Sequence, residues 1–169
     1  MYSNDKDKKW LVVYTKPKHE KMVESDLKKN NYETYLPLLK KRKQWSDRKK
    51  WIESPLFRSY IFVKADPKYI LYLLKINGIV SIIKFGKEIA FVREKDLETI
   101  KKMITGGYEP KNENYFLKGN PVTVDHGPLK GIVGEVLEVE NQNRLVMRIE
   151  GIQKSISIKI NQGFLKLLD

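Results

Sequence analysis

Hydrophobic and polar positions alternate between strand-like and helix-like periods in the first hundred or so residues. Residues Trp10 to Tyr14 form an almost uninterrupted apolar run, which is typical of a buried strand. Pro17 suits the first turn of a helix, and the apolar pair Val23 and Leu27 indicates an amphipathic helix over residues 17–30. Further segments predict strands at 60–63 and 79–85 and helices at 67–76 and 94–104. This mixture predicts an α/β sandwich with an antiparallel sheet and flanking helices.

The period changes in the last third of the chain, where short apolar segments follow one another without a stretch long enough for a helix. These strand candidates lie at 121–124, 131–139, 145–149, 156–160 and 164–168. Residues Ile156 to Ile160 alternate apolar and polar side chains, as in a strand with one buried face. Five such strands predict a small SH3-like barrel that closes its own edges, so the fold class of the whole chain is α+β.

A segment with the composition of a linker separates these two patterns. It contains the pair Gly106 and Gly107, then Pro110, among polar residues with few aliphatic side chains. We therefore predict a first domain at 8–105, a linker at 106–116 and a second domain at 117–169. The two domains are expected to move separately.

Charge distinguishes the same two regions. The chain has 169 residues and a formal net charge of +12. Residues 1–105 hold 25 Lys and Arg against 13 Asp and Glu, whereas residues 106–169 hold 8 of each, so the whole excess lies in the first region. A basic domain joined to a neutral one favours a polyanionic partner for the first domain and a protein partner for the second. The alternative is a merely solvated charged surface.

The densest basic segment runs from Lys40 to Trp51 and is expected to form a hairpin or extended loop between strands. It contains seven cations, one acid and two tryptophans. Cations interleaved with indole rings suit simultaneous contact with phosphates and stacking on bases. Two alternatives stay open, namely a solvated protruding loop and a structural pairing of Trp45 with Trp51 across the hairpin.

Candidate chemistry is sparse. There is no cysteine, His19 and His126 are the only histidines, and no phosphate-binding loop, nucleophile elbow or zinc-binding helix motif occurs. Asp66, Asp96 and Asp125 occur singly beside turns or helix starts, where capping is their common role. We predict no catalytic residue, no metal site, no cofactor and no enzymatic activity. No apolar run is long enough to span a bilayer, and no signal-peptide pattern precedes Trp10, so we expect a cytoplasmic protein without a membrane partner.

Two motifs resemble the NusG-type transcription factors, and the resemblance covers nearly the whole chain. The first combines WLVVYTKP at residues 10–17 with Glu20, YLPL at 35–38 and PLFRSYIFV at 55–63, and is similar to the N-terminal domain of that family. The second, VTVDHGPLKGIVGEV at 122–136, is similar to the KOW motif at the start of the family's small barrel. Its notable positions are Gly127, Pro128, Lys130, Gly131 and Gly134, and the glycines suit a tight turn and bends.

The resemblance implies a factor that binds the clamp of RNA polymerase across the DNA channel and suppresses pausing and termination by binding alone. The residues matching the family's apolar polymerase pocket are Phe57, Tyr60 and Phe62, of which Tyr60 and Phe62 are expected to share a sheet face. The family's basic DNA contact matches Lys16. With the flanking lysines and the basic segment, the predicted nucleic-acid contacts are Lys16, Lys18, Lys21, Lys41, Arg42, Lys43, Trp45, Arg48 and Lys49.

The chain departs from the family pattern at Arg58-Ser59, where many members have Pro-Gly or Pro-Asn before the tyrosine. Together with the basic segment, this departure favours a specialised RfaH-like antiterminator for particular operons. The resemblance implies a KOW partner that is either a small-subunit ribosomal protein or the termination factor Rho, and we expect a monomer. The competing interpretation is a KOW-containing RNA-binding or ribosome-associated protein that grips structured RNA without polymerase.

Overall fold

The computed structural model describes residues 7–44, 49–113, 119–139 and 142–168. Packing divides the chain into two compact units, Met1–Glu94 and Lys95–Asp169. Each unit contains its own antiparallel sheet. The predicted α+β class is therefore confirmed.

A central strand, β1, organises the first unit. The strands in chain order are β1 (Lys9–Thr15), β2 (Glu33–Tyr35), β3 (Leu38–Gln44), β4 (Lys49–Pro55), β5 (Tyr60–Ala65), β6 (Ile79–Ile82), β7 (Lys84–Phe85), β8 (Glu88–Ile89) and β9 (Phe91–Val92). The main sheet has the order β2-β5-β1-β6, and β9 also pairs with β1. β3 pairs with β4, and β7 with β8, as separate antiparallel hairpins. The predicted hairpin in the basic segment is thus confirmed.

Short helices pack on one face of this sheet. They are α1 (Glu20–Lys29) and α2 (Ile70–Leu73), which follows a 3-10 helix at Pro67–Tyr69. The core between the helices and the sheet contains buried side chains of β1, α1, β5, α2 and β6, among them Leu11, Val13, Val23, Leu27, Ile61, Val63, Leu73 and Ile82. The predicted stripe of Val23 and Leu27 is therefore confirmed. Asp66 caps the 3-10 helix by accepting a hydrogen bond from the backbone N–H of Lys68 at 2.9 Å.

Two predicted helices are shorter than expected. α1 begins at Glu20, not at Pro17, because Lys18 has φ 64° and lies in the left-handed region, which cannot continue an α-helix. The segment predicted as one helix over 67–76 divides into the 3-10 helix and α2. The strand predicted over 79–85 is likewise divided into β6 and β7.

The turn before β5 holds a serine where the resembled family has glycine or asparagine. The N–H of Tyr60 donates to the carbonyl of Phe57 at 3.2 Å, and Ser59 has φ 63°. The N–H of Ser59 donates to the buried carboxylate of Glu20 at 2.8 Å, while its carbonyl accepts from the N–H of Thr15 at 2.8 Å. These bonds hold a non-glycine residue in a conformation that ordinarily favours glycine.

The second unit begins in α3 (Glu94–Thr105) and continues as strands. They are β10 (Lys111–Glu113), β11 (Asn120–Val124), β12 (Val133–Val139), β13 (Gln142–Ile149), β14 (Lys154–Lys159) and β15 (Leu165–Leu167). Their sheet order is β10-β14-β13-β12-β11-β15, antiparallel throughout. This all-β arrangement confirms the predicted strands and is consistent with the expected KOW fold. β10 is an additional strand that the sequence pattern did not predict.

Parts of the predicted linker are regular. Gly107, with φ 80°, ends α3, and the N–H groups of Gly107 and Tyr108 donate to the carbonyls of Ile104 and Met103 at 3.2 and 3.0 Å. This pair of bonds is a Schellman cap. β10 then pairs with β14 within the second unit. The domain boundaries and the separate movement of the domains stay predictions.

Two polar positions of β14, Ser155 and Ser157, are buried, contrary to the expectation of one solvated face, whereas Lys159 is exposed as expected. Ser155 and Ser157 are as inaccessible as Ile156 and Ile158. The guanidinium of Arg144 donates to the hydroxyl of Ser157, and its Nη2 lies 3.2 Å from a carboxylate oxygen of Glu113 on β10. The side chains of Arg144 and of Glu113, which lies on the missed strand β10, therefore occupy part of the face that periodicity assigned to solvent.

Replacing Ser59 by glycine is expected to stabilise the first unit. A non-glycine residue in the left-handed region costs about 1–2 kcal/mol, and glycine removes this cost. The larger conformational entropy of glycine in the unfolded state offsets about 0.5–1 kcal/mol of the gain, so a net stabilisation of roughly 0.5–1 kcal/mol is expected. Urea unfolding followed by tryptophan fluorescence measures this. Ser59→Ala is the matched control because it keeps the strained conformation. Equal stability of the two variants would contradict the prediction.

Candidate functional site

An aromatic face lies on the side of the main sheet opposite the helix core. Register pairs Tyr14 with Tyr60 and Val12 with Phe62 across β1 and β5. Alternate residues of a strand point to opposite faces, so Tyr60 and Phe62 lie on one face while Ile61 joins the helix core. The geometry therefore places Tyr60 and Phe62 together, as expected.

The rings on this face contact one another. Tyr14 and Tyr60 meet edge to face, with centroids 5.8 Å apart and an interplanar angle of 78°. Phe57 meets Phe62 edge to face at 6.0 Å, and Tyr35 stacks on Phe62 at 6.3 Å. Such offset and edge-to-face geometries are favourable for aromatic pairs. The rings form two contacting groups on this side of the sheet, Tyr14 with Tyr60, and Phe57 and Tyr35 with Phe62. The five rings are called below the aromatic layer.

Only the tyrosines of the aromatic layer reach the surface. Phe57 and Phe62 are 2% and 0% exposed, whereas Tyr14, Tyr35 and Tyr60 are partly exposed. Burial, and then the neighbouring Tyr14, raise the pKa of the Tyr60 hydroxyl. Of the three residues predicted for the polymerase pocket, Tyr60 alone is accessible. Sequence analysis did not select Tyr14, although its place at the end of the first apolar run was a signal.

The lysines after β1 lie in an exposed turn. Lys16, Lys18 and Lys21 are all accessible to solvent. The N–H of Lys16 donates to the carbonyl of Gly78 at 2.9 Å, which fixes the start of this turn. Lys21 lies in the first turn of α1. These three exposed cations therefore lie on one short segment of the chain, residues 16–21.

Strand register divides the basic hairpin into two faces. Arg42 lies directly opposite Trp51, and Lys40 lies opposite Glu53, so these four residues occupy one face. Lys41 lies opposite Ile52 on the other face. The predicted pairing of Trp45 with Trp51 is not tested, since Trp45 lies outside the described residues. Of the other predicted nucleic-acid contacts, Arg48 and the side chains of Lys43 and Lys49 also lie outside them.

A shallow depression joins the hairpin to the lysines after β1. It has a volume of about 570 Å³ and is lined by Lys21, Lys40, Trp51 and Glu53. The ammonium of Lys21 donates to Oε2 of Glu53 at 3.0 Å, and that of Lys40 lies 4.0 Å from Oε1. The hydrogen bond from Lys21 lowers the pKa of the Glu53 carboxyl. Lys40, Trp51 and Glu53 were not selected from the sequence as site residues.

The KOW segment forms a turn between β11 and β12. The N–H of Lys130 donates to the carbonyl of Gly127 at 3.1 Å, and Gly127 and Gly131 have φ 79° and 85°. Pro128 and Lys130 are exposed. Gly134 has a different role from the predicted bend: a Cβ there would lie 2.6 Å from the carbonyl oxygen of Val146, so the glycine permits close approach of β13.

Within the described ranges, no three His, Asp or Glu side chains are grouped so that they could hold a metal ion. No described helix combines the length and hydropathy needed to cross a membrane. The groups assembled at the two surfaces of the first unit are aromatic rings and cations.

Comparison with known proteins identifies a family. The family described as "Transcription termination factor nusG" matches residues 8–101, more than half of the chain. A structure entitled "Domain interaction in Thermotoga maritima NusG" is 16% identical, covers 98% of this chain and 100% of that chain, and has a TM-score of 0.58, which supports the fold. A crystal structure of the MjSpt4:Spt5 complex is 18% identical over 95% of this chain and 97% of that chain, with a TM-score of only 0.32.

Replacing Tyr35 by phenylalanine is expected to raise the pH at which the first unit unfolds in alkali. Burial raises the pKa of Tyr35 from 10.0 to about 12. Between these pH values the unfolded chain releases the phenolic proton while the folded chain retains it, so the folded state loses stability as pH rises. Tyr35→Phe removes this loss. Circular dichroism during alkaline titration measures the midpoint, with the exposed-site variant Tyr72→Phe as control. An unchanged midpoint for Tyr35→Phe would refute the prediction.

Proposed function

The chain belongs to the NusG family of transcription factors, and from this premise we propose that it binds RNA polymerase near the clamp and suppresses pausing and termination. Proteins of this family are transcription elongation and termination factors, not enzymes. The proposed action is accordingly one of binding alone. It takes place in the cytoplasm, with the factor acting as a monomer.

The aromatic layer is the observation that carries the polymerase contact. Tyr14 and Tyr60 present partly exposed rings in edge-to-face contact, on the sheet face that also holds the buried ring of Phe62. Tyrosine supplies apolar area and a hydroxyl in one rigid side chain, which is why it is enriched among residues that dominate binding energy. Phe62 and its edge-to-face neighbour Phe57 are buried on the same side of the sheet. Tyr60, with Tyr14, is therefore the proposed point of contact.

The basic surface supports a second contact with the DNA of the elongation complex. Lys16, Lys18 and Lys21 are exposed together, and Lys21 reaches the basic hairpin through Glu53. Residues 1–105 carry the entire net charge of +12. Cations of this density attract a polyanion irrespective of its sequence. Polymerase positions the factor, and the lysines then hold the adjacent strand.

We further propose that the factor serves particular operons, as RfaH-like members do. The basic hairpin supports this specialisation because it adds exposed cations beyond the lysines after β1. The KOW unit is proposed to contact a small-subunit ribosomal protein or Rho. Its neutral charge balance and the exposed turn at Lys130 support a protein partner.

The alternative function is that of a KOW-containing RNA-binding or ribosome-associated protein. The excess positive charge of residues 1–105 favours this alternative as well. It predicts steeply salt-dependent binding to structured RNA without polymerase, whereas an aromatic contact with polymerase tolerates salt. Capture of polymerase at raised ionic strength separates the two.

Replacing Tyr60 by alanine is expected to weaken polymerase capture by at least tenfold, since aromatic residues at interface centres commonly contribute about 2 kcal/mol or more. Core RNA polymerase is co-purified on the immobilised full chain and washed in rising salt. Tyr60 is preferable to Phe62, because truncating a fully buried phenylalanine costs about 3–5 kcal/mol of stability.

Tyr69→Ala is the matched control, because Tyr69 is also half-buried but lies on the 3-10 helix before α2. Circular dichroism verifies that both variants fold. Failure of the folded wild type to capture polymerase would move the RNA-binding alternative to first place. Equal capture by the two variants would remove the aromatic layer from the interface.

A further inference from the structure

An exposed indole lies beside two lysines on one face of the basic hairpin. Trp51 is 66% exposed, and it lines the depression with Lys21, Lys40 and Glu53. Its cross-strand neighbour is Arg42. Trp51 comes from β4, Lys40 from β3 and Lys21 from α1, so three separate elements bring these groups together.

The lysines of the depression are held by a bond that an incoming anion can replace. Both ammoniums converge on the single carboxylate of Glu53, at 3.0 Å for Lys21 and 4.0 Å for Lys40. The side chains of Lys21 and Lys40 remain 55% and 74% exposed. Ion pairs this open to water are weak, because solvent screens them. One carboxylate against two lysines leaves a net positive charge beside the indole.

We propose that this depression binds one nucleotide of single-stranded nucleic acid, with its base stacked on Trp51 and its phosphate held between Lys21 and Lys40. The phosphate takes the place of Glu53 as acceptor for the two ammoniums. The inference rests on the proposed function, in which a strand exposed by the elongation complex passes the first unit. It adds to that function a defined subsite and the residue that recognises an unpaired base.

The combination of groups selects a single strand over other polyanions. An indole face can cover a base only when the base is not already stacked and paired within a duplex. A carboxylate-rich peptide would satisfy the lysines but would leave the indole without a flat partner. Phosphate and base alternate along a single strand, as cation and ring alternate in this depression. Stacking of this kind tolerates any base sequence.

Glu53 is assigned a competing role. Its carboxylate accepts from the same ammoniums that the phosphate needs, so each binding event must first break the contacts with Lys21 and Lys40. This competition keeps the affinity for free nucleic acid low. A strand delivered by bound polymerase has a high effective concentration and overcomes the competition.

The test measures binding of labelled oligo(dT) and oligo(rU) to the full-length protein by fluorescence anisotropy at low salt. Trp51→Ala is expected to weaken binding roughly 5- to 140-fold, the range that corresponds to loss of one stacked base. Trp51→Phe should retain part of the affinity, because phenylalanine also offers an aromatic face. Tyr72→Ala is the matched control, since Tyr72 is an aromatic residue on α2 with 58% exposure and does not line the depression.

Two further variants test the proposed contact between the phosphate and the lysines. Glu53→Gln is expected to tighten binding, since it removes the competing charge while keeping a similar shape. Lys21→Gln should weaken binding and lower the slope of log affinity against log salt by about 0.7, the value for one phosphate contact on a single strand. Quenching of tryptophan emission by oligo(dT) in a Trp45→Phe background, and its loss in Trp51→Ala, reports the stacking directly.

Several outcomes would overturn the inference: unchanged affinity in folded Trp51→Ala, weaker binding by Glu53→Gln, or duplex DNA bound as tightly as single strands. Polymerase capture by the wild type is measured without added oligonucleotide, so failure of the subsite and failure of the proposed function give different results. Comparison of the two oligonucleotides assigns the strand. A preference for oligo(dT) indicates displaced DNA, and a preference for oligo(rU) indicates the transcript.

Discussion

The pairing of β1 with β5 in one register is the constraint on which the first unit depends. Leu11, Val12 and Val13 are all inaccessible, so β1 is buried on both faces. The register places Val13 opposite Ile61 toward the helices and Tyr14 opposite Tyr60 toward the aromatic layer. A shift by one residue would exchange the two faces and bring tyrosine into the helix core. The same contacts that stabilise the sheet therefore determine which rings a partner can reach.

A buried hydrogen bond extends this constraint to the basic surface. Glu20, the first residue of α1, accepts from the N–H of Ser59 at the turn into β5, and Thr15 bonds the carbonyl of the same serine. The start of α1 is thereby tied to two neighbouring strands. Lys21 is the next residue, so its position beside Glu53 of β4 follows from the same anchor. The aromatic layer and the lysines are positioned by one connected set of bonds.

Sequence periodicity predicted the elements whose burial is continuous or regular, such as β1, β5, α3 and the strands after residue 119. It failed where a local choice depends on distant residues. Pro17 is compatible with a helix start and with a turn. The left-handed conformation of Lys18 excludes the helix at this position, so Pro17 lies in a turn. Ser157 occupies a polar position in an alternating pattern that predicted exposure. It is buried nonetheless, because Arg144 on β13 and Glu113 on β10 contact its hydroxyl.

The candidate site shows the same limit. The motif PLFRSYIFV located the aromatic layer, but it gave Phe57, Tyr60 and Phe62 equal weight, because burial depends on Tyr35 and Val12, which lie on other strands. The basic segment was evident from composition. Its useful face was not, since only the register of β3 with β4 places Lys40 and Arg42 on the same face as Glu53 and Trp51. The contact of Lys21 with Glu53 spans 32 residues and has no local signature.

The two surfaces of the first unit differ in their sensitivity to salt, and this difference separates their roles in the proposed mechanism. An aromatic contact loses little strength as salt increases, because it depends on removing apolar area from water. Lysine contacts with phosphate weaken steeply, because each one releases a counterion. In the proposed mechanism the aromatic contact therefore supplies the salt-tolerant part of the affinity, and it confines the strand near the lysines. Weak single contacts then suffice, and a competing carboxylate such as Glu53 limits binding to nucleic acid that polymerase has not delivered.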